Sequence, residues 1–173
     1  MTPPPYVIAV DTEVTTLRDA DHLLRELAGQ LPETDGLFGC THLVRQGGRR
    51  RVALSLGSRS RTAVDTARAA LTDRGHGVTD GAWDDRGRAV LYPGAAALTG
   101  TLTVAELLDR SAIERVRVLG TPTGPGPGTR LVTREFVRPQ WENGELVLAA
   151  MPHIGGTLVP FEDPAPTPCC ADH

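Results

Sequence analysis

Hydrophobic positions along the first ninety residues switch between a period of two and a period of 3.6, the signatures of strand and helix. Residues 6–10 (Tyr6, Val7, Ile8, Ala9, Val10) form a short apolar run suited to a buried strand. Thr16 followed by Asp19 then offers a cap ahead of a helical pattern, in which Ala20, Leu23, Leu24, Leu27 and Leu31 share one face and Pro32 ends it. Residues 37–44 read as a second strand, Gly47 and Gly48 as a turn, and Val52, Leu54 and Leu56 as inward positions of a third, which makes a hairpin. Ser58 and Ser60 lead into a second helix with Ala63, Val64, Ala67, Ala70 and Leu71 inward, and Gly75 supplies its C-terminal stop. Residues 78–92 read as strand, turn at 84–87, strand.

This order predicts an α+β, ferredoxin-like βαββαβ body over residues 1–94, with both helices on one face of an antiparallel sheet. Further on, the pattern predicts a helix over 104–110, a strand over 113–119 and a Gly/Pro connector over 120–128. Strands over 131–137 and 146–150 meet near Asn143-Gly144, a strong hairpin signal, and residues 156–161 suggest a last strand. Residues 95–161 thus read as a β-rich extension packed on the body. Pro164, Pro166 and Pro168 make residues 162–173 an extended Pro-rich tail.

Composition adds exclusions. The chain has 173 residues with 40% hydrophobic and 23% charged, enough for a core that needs no disulfide or structural metal. All 18 basic residues are Arg, so Schiff-base chemistry, a lysine base and a Walker-type phosphate lysine are excluded, and anions can be met only by guanidinium groups. The net charge of -3 hides an alternation, with -5 over 1–44, +5 over 45–88, -1 over 89–112, +3 over 113–140 and -5 over 141–173. Acidic balance, a pI near 5.9 and 4% aromatics argue against nucleic acid as a partner. No apolar run reaches 18 residues and no leader pattern opens the chain, so no membrane contact is expected. An odd set of three cysteines (Cys40, Cys169, Cys170) points to reduced thiols and a cytoplasmic location.

Three places carry candidate chemistry. Cys169, Cys170 and His173, with His153 in reach of a mobile tail, offer soft donors for zinc or another soft metal, although adjacent cysteines close a tetrahedral chelate poorly. Ser58, Arg59, Ser60, Arg61 and Thr62 put hydroxyls and guanidinium groups at a helix N-terminus, where an anion can bind or where simple N-capping suffices. Cys40 and His42 share a strand face pointing to the core. Strand alternation also places Arg130, Arg134 and Arg138 in a stripe beside Arg115 and Arg117, a solvated face or a protein contact.

No nucleophile elbow, dinucleotide fingerprint or phosphate loop is present. The resulting expectation is a non-enzymatic interaction or assembly module that self-associates, as a homo-oligomer, or binds a protein partner. The alternatives are a thiol-metal protein or metalloenzyme built on the tail, and a small enzyme or sensor for an anionic metabolite at 57–62. Whether the chain is an enzyme stays open.

Overall fold

The computed structural model describes residues 2–82 and 86–165. They form three α-helices, α1 (Leu17–Gly29), α2 (Arg61–Asp73) and α3 (Val104–Arg110). Eleven strands accompany them: β1 (Tyr6–Val10), β2 (Phe38–Gln46), β3 (Arg49–Ser58), β4 (Val78–Asp80), β5 (Arg88–Leu91), β6 (Thr101–Thr103), β7 (Arg115–Val118), β8 (Arg130–Val132), β9 (Gln140–Glu142), β10 (Glu145–Pro152) and β11 (Leu158–Pro160).

All eleven strands belong to one mixed sheet, ordered β4-β1-β3-β2-β5-β9-β10-β11-β8-β6, with β7 paired in parallel to β10. The ferredoxin-like expectation is therefore corrected. That fold needs a small sheet that ends at its fourth strand, whereas here β5 pairs with β2 on one side and β9 on the other and carries the sheet into the second half of the chain. The strand-turn-strand reading of 78–92 also changes: β4 borders β1, while β5 lies across the β1-β3-β2 trio beside β2.

Local chemistry accounts for the elements that frame the surfaces discussed below. Thr16 caps α1 by accepting from Asp19 N–H at 3.1 Å, and Ser60 caps α2 by accepting from Ala63 N–H at 3.2 Å. Thr103 and Glu106 form a reciprocal capping box at the start of α3. Gly47 and Gly48, at φ +58° and +78°, close the β2–β3 hairpin in the two-residue turn that positive φ at both positions permits. Asn143 and Gly144 do the same between β9 and β10.

Two hydrophobic clusters lie on opposite faces of this sheet. One gathers α1, α2 and the facing side of β1, β3 and β5 around Ile8, Leu24, Leu54, Leu56, Leu71 and Val90. The other joins Phe38, Cys40 and Ala89 to the second half of the chain around Trp141, Leu107, Leu131 and Leu148. Alternation along β5 sends Ala89 to one cluster and Val90 to the other. Gly39 lets α1 lie close against the sheet, since a Cβ there would come within 2.9 Å of Leu91 Cδ1 and 3.1 Å of Leu24 Cδ2. No helix among the described residues is long and apolar enough to cross a membrane.

Candidate functional surfaces: a projecting hairpin and an arginine-lined cleft

The β2–β3 hairpin outruns its neighbours. β5 pairs with β2 only at residues 39–41 and β1 pairs with β3 only at 54–58, so the part nearer the turn has no further strand beside it among the described pairings. Its tip carries Arg45, Arg49 and Arg50, all exposed, with Leu43 on the same face as Arg45 and 71% exposed. Arg45 and Arg50 are direct cross-strand partners. Like charges placed opposite one another destabilise a ladder, and neither arginine has an acidic partner among the described residues. Arg51 reaches Glu13 at 4.0 Å.

A second surface is built around Asp21. The helical period of α1 puts Asp21 on the face shared by Leu17 and Leu24, so its carboxylate enters the interior, where it is 5% exposed. Two guanidinium groups meet it. Arg88 donates from Nη1 to Oδ1 at 2.5 Å and from Nη2 to Oδ2 at 3.1 Å, and Arg138 donates from Nε to Oδ2 at 2.9 Å. Arg88 also donates from Nε to Glu162 at 2.7 and 3.0 Å, from Nη2 to Glu162 Oε1, and from Nη1 to Thr41 Oγ1 at 3.2 Å. All five of its N–H groups are thereby engaged.

Arg138 is less well served, though it is only 9% exposed. Its Nη1 donates to the Val137 carbonyl at 3.2 Å, its guanidinium lies 4.2 Å over the Phe136 ring, and its Nη2 is buried with no hydrogen-bond partner among the described residues. The electrostatics follow from this asymmetry. Burial alone would raise the Asp21 pKa, but bonds and charge from Arg88 and then Arg138 outweigh it and hold the carboxyl below its ordinary value. Burial likewise opposes the Arg88 charge, and Glu162 with Asp21 more than offsets it, so that pKa is raised. For Arg138 burial wins: one shared carboxylate cannot offset it against the like charges of Arg25 and Arg88, and the pKa is lowered.

Above this cluster opens a cleft of about 850 Å³, whose wall includes Arg18, His22 and Arg25 from α1, Phe136, and Asp163 with Pro164. The side chains of Arg18, His22 and Arg25 are exposed and form no hydrogen bond or ion pair among the described residues. Asp163 pairs with Arg134 at 3.1 Å.

The residues singled out from sequence fall elsewhere. Cys169, Cys170 and His173 lie outside the described residues. His153 is exposed, with its backbone N–H donating to Thr157 O at 2.8 Å. No group of three or more His, Cys, Asp or Glu among the described residues could hold a metal ion. Ser58 Oγ accepts from Ser60 N–H at 3.1 Å and Ser60 Oγ is the α2 cap, while Arg59 donates to the Thr2 carbonyl. Arg61 lies 3.7 Å from Asp65 and stacks over Tyr6, and Thr62 is exposed. Ser58, Arg59 and Ser60 do line a cavity of about 680 Å³, together with Asp35. Cys40 is buried, and His42 Nε2 lies 2.7 Å from Ser55 Oγ.

The arginine stripe dissolves. Arg134 and Glu135 adopt left-handed φ of +54° and +53°, which ends β8 at Val132 and sends Arg138 inward to Asp21. Arg115 pairs with Glu145 at 3.0 Å and Arg117 with Glu142 at 2.8 Å. The Asp21 cluster had one signal in the sequence, an acid set between Leu17 and Leu24 on an otherwise apolar helix face. Comparison of the chain with known protein families, with curated proteins and with solved structures finds no match.

Proposed function

We propose that the chain is an interaction module that self-associates, docking the tip of its β2–β3 hairpin on an acidic surface of a second copy. The observation that carries this reading is the exposed pairing of Arg45 with Arg50 beside Leu43. Within a monomer this arrangement lowers the stability of the hairpin and leaves a large apolar side chain in water. Against an acidic surface with apolar ground, both costs reverse.

Charge balance favours a second copy as that surface. The chain carries -3 in all, so without Arg45, Arg49, Arg50 and Arg51 the remainder carries -7. No aromatic side chain accompanies these arginines on the hairpin beyond Phe38, which is buried in the core, so a base-stacking platform for nucleic acid is missing there.

Sedimentation velocity on the full chain tests the proposal at about 0.1 M and about 1 M salt, where the screening length falls from about 10 Å to about 3 Å. A discrete oligomer at low salt that dissociates at high salt, and that is lost in Arg45→Glu/Arg50→Glu, is expected. A monomer at both salts, or an oligomer that survives the double substitution, overturns the reading. So does a monomer that binds an oligonucleotide through the same two arginines.

A further inference from the structure

We propose that the cleft beside α1 is a binding site for a small organic oxyanion, a phosphate monoester or a dicarboxylate, held by Arg18, Arg25 and Arg138. Arg18 and Arg25 are seven residues apart, two helical turns, so both project on the same side of α1 about 10 Å apart along its axis. Both line the cleft, as does Arg138.

The acids lining the cleft are already paired, whereas of its arginines only Arg88 is fully engaged. Asp21 serves Arg88 and Arg138, Glu162 serves Arg88, and Asp163 serves Arg134. Arg18 and Arg25 are left without an acid among the described residues, and Arg138 keeps one buried N–H unmatched. A buried donor without an acceptor is costly, and since Arg138 lines the cleft, a small rotation of its guanidinium toward the opening would let an oxyanion satisfy that donor while matching the two surface guanidinium forks. The pKa of Arg138 is lowered first by its burial, which the one carboxylate it shares does not offset.

Size and lining agree with an organic ligand. A volume of about 850 Å³ falls within the range of small-molecule sites, and Leu17, Phe136, Pro164 and Ala165 provide apolar wall for a carbon skeleton. This inference is independent of the hairpin and of self-association.

The test is thermal unfolding and titration calorimetry of the full chain with glucose 6-phosphate and with succinate, each against sodium chloride of equal ionic strength. One of the two probes is expected to bind saturably and, at a hundredfold excess over its Kd, to raise Tm by about 5 to 10 °C. Arg18→Gln/Arg25→Gln should weaken that binding at least about tenfold without lowering the ligand-free Tm, because both side chains are exposed and unpaired among the described residues and Arg25 only repels Arg138. Arg59→Gln/Arg61→Gln should bind like the parent. No saturable binding of either probe, full binding by the Arg18/Arg25 variant, or loss of binding in the Arg59/Arg61 variant each overturns the assignment.

Discussion

Substituting Asn for Asp21 removes the one charge that two buried arginines share. Asp21 Oδ1 takes Arg88 Nη1 at 2.5 Å, and Oδ2 takes Arg88 Nη2 at 3.1 Å and Arg138 Nε at 2.9 Å. Deleting one partner of a buried ion pair typically costs about 3–5 kcal/mol, because the other charge stays desolvated. Arg88 keeps Glu162, so the penalty falls on Arg138, and the Asn oxygen retains one acceptor. The expected loss is therefore at the lower end, about 3 kcal/mol at pH 7, or a fall in Tm of about 6 to 12 °C for a chain of this length. Urea unfolding followed by far-UV circular dichroism measures it.

The pH dependence has a definite sign. The Asp21 pKa is lowered in the folded state, so its contribution is complete above the ordinary value of 3.8 and disappears as pH falls through the folded-state value. The gap between parent and Asp21→Asn should therefore be widest near neutrality and close in acid. Adding Arg138→Met removes the stranded cation, so the double variant should be less destabilised than the sum of the singles by about 2 kcal/mol. A gap at pH 7 below about 1 kcal/mol, a gap that does not change into acid, or strict additivity would refute the reasoning.

Two further outcomes test the packing and the hairpin. A Cβ on Gly94, at φ +82°, would sit 2.0 Å from the Arg110 carbonyl oxygen and 2.6 Å from Ser111 Cα, so Gly94→Ala should cost at least about 3 kcal/mol in urea unfolding. Gly100→Ala, at φ +64° with open space around it, should cost only about 1–2 kcal/mol, and equal losses would show that the close approach is not what selects glycine at 94. Arg50→Glu alone turns a repulsive cross-strand pair with Arg45 into an attractive one, so it should raise monomer stability by about 0.5 kcal/mol while weakening self-association. A destabilised Arg50→Glu monomer would contradict the account of the hairpin as strained by its own charges.

The sequence was legible where interactions are local. The α1 and α2 stripes, the Thr16 cap, a serine cap ahead of α2 that the sequence leaves between Ser58 and Ser60, and the Gly47-Gly48 and Asn143-Gly144 turns all depend on residues within a few positions of each other, and each is found where the pattern puts it. The continuation of the sheet was not legible, because it rests on β5 meeting β9 across some fifty residues. Consecutive left-handed residues at Arg134 and Glu135 broke an alternation that otherwise reads as a long strand. The Asp21 cluster joins positions 21, 88, 138 and 162, and only Asp21 stands out from its neighbours, as an acid on an apolar face. The hairpin was visible as a hairpin, but the exposure of its tip depends on where β1 and β5 stop.

Asp21, Arg88, Arg138 and Glu162 carry two negative and two positive charges, and they cancel only as a complete set. Loss of any one leaves an unbalanced charge against the core, so drift at these positions is constrained jointly rather than one site at a time. Related chains should change them as acid–base pairs, or exchange the whole quartet for apolar residues of similar volume, a replacement that buried ion pairs often tolerate. Four positions spread over most of the chain's length would then vary as a single character.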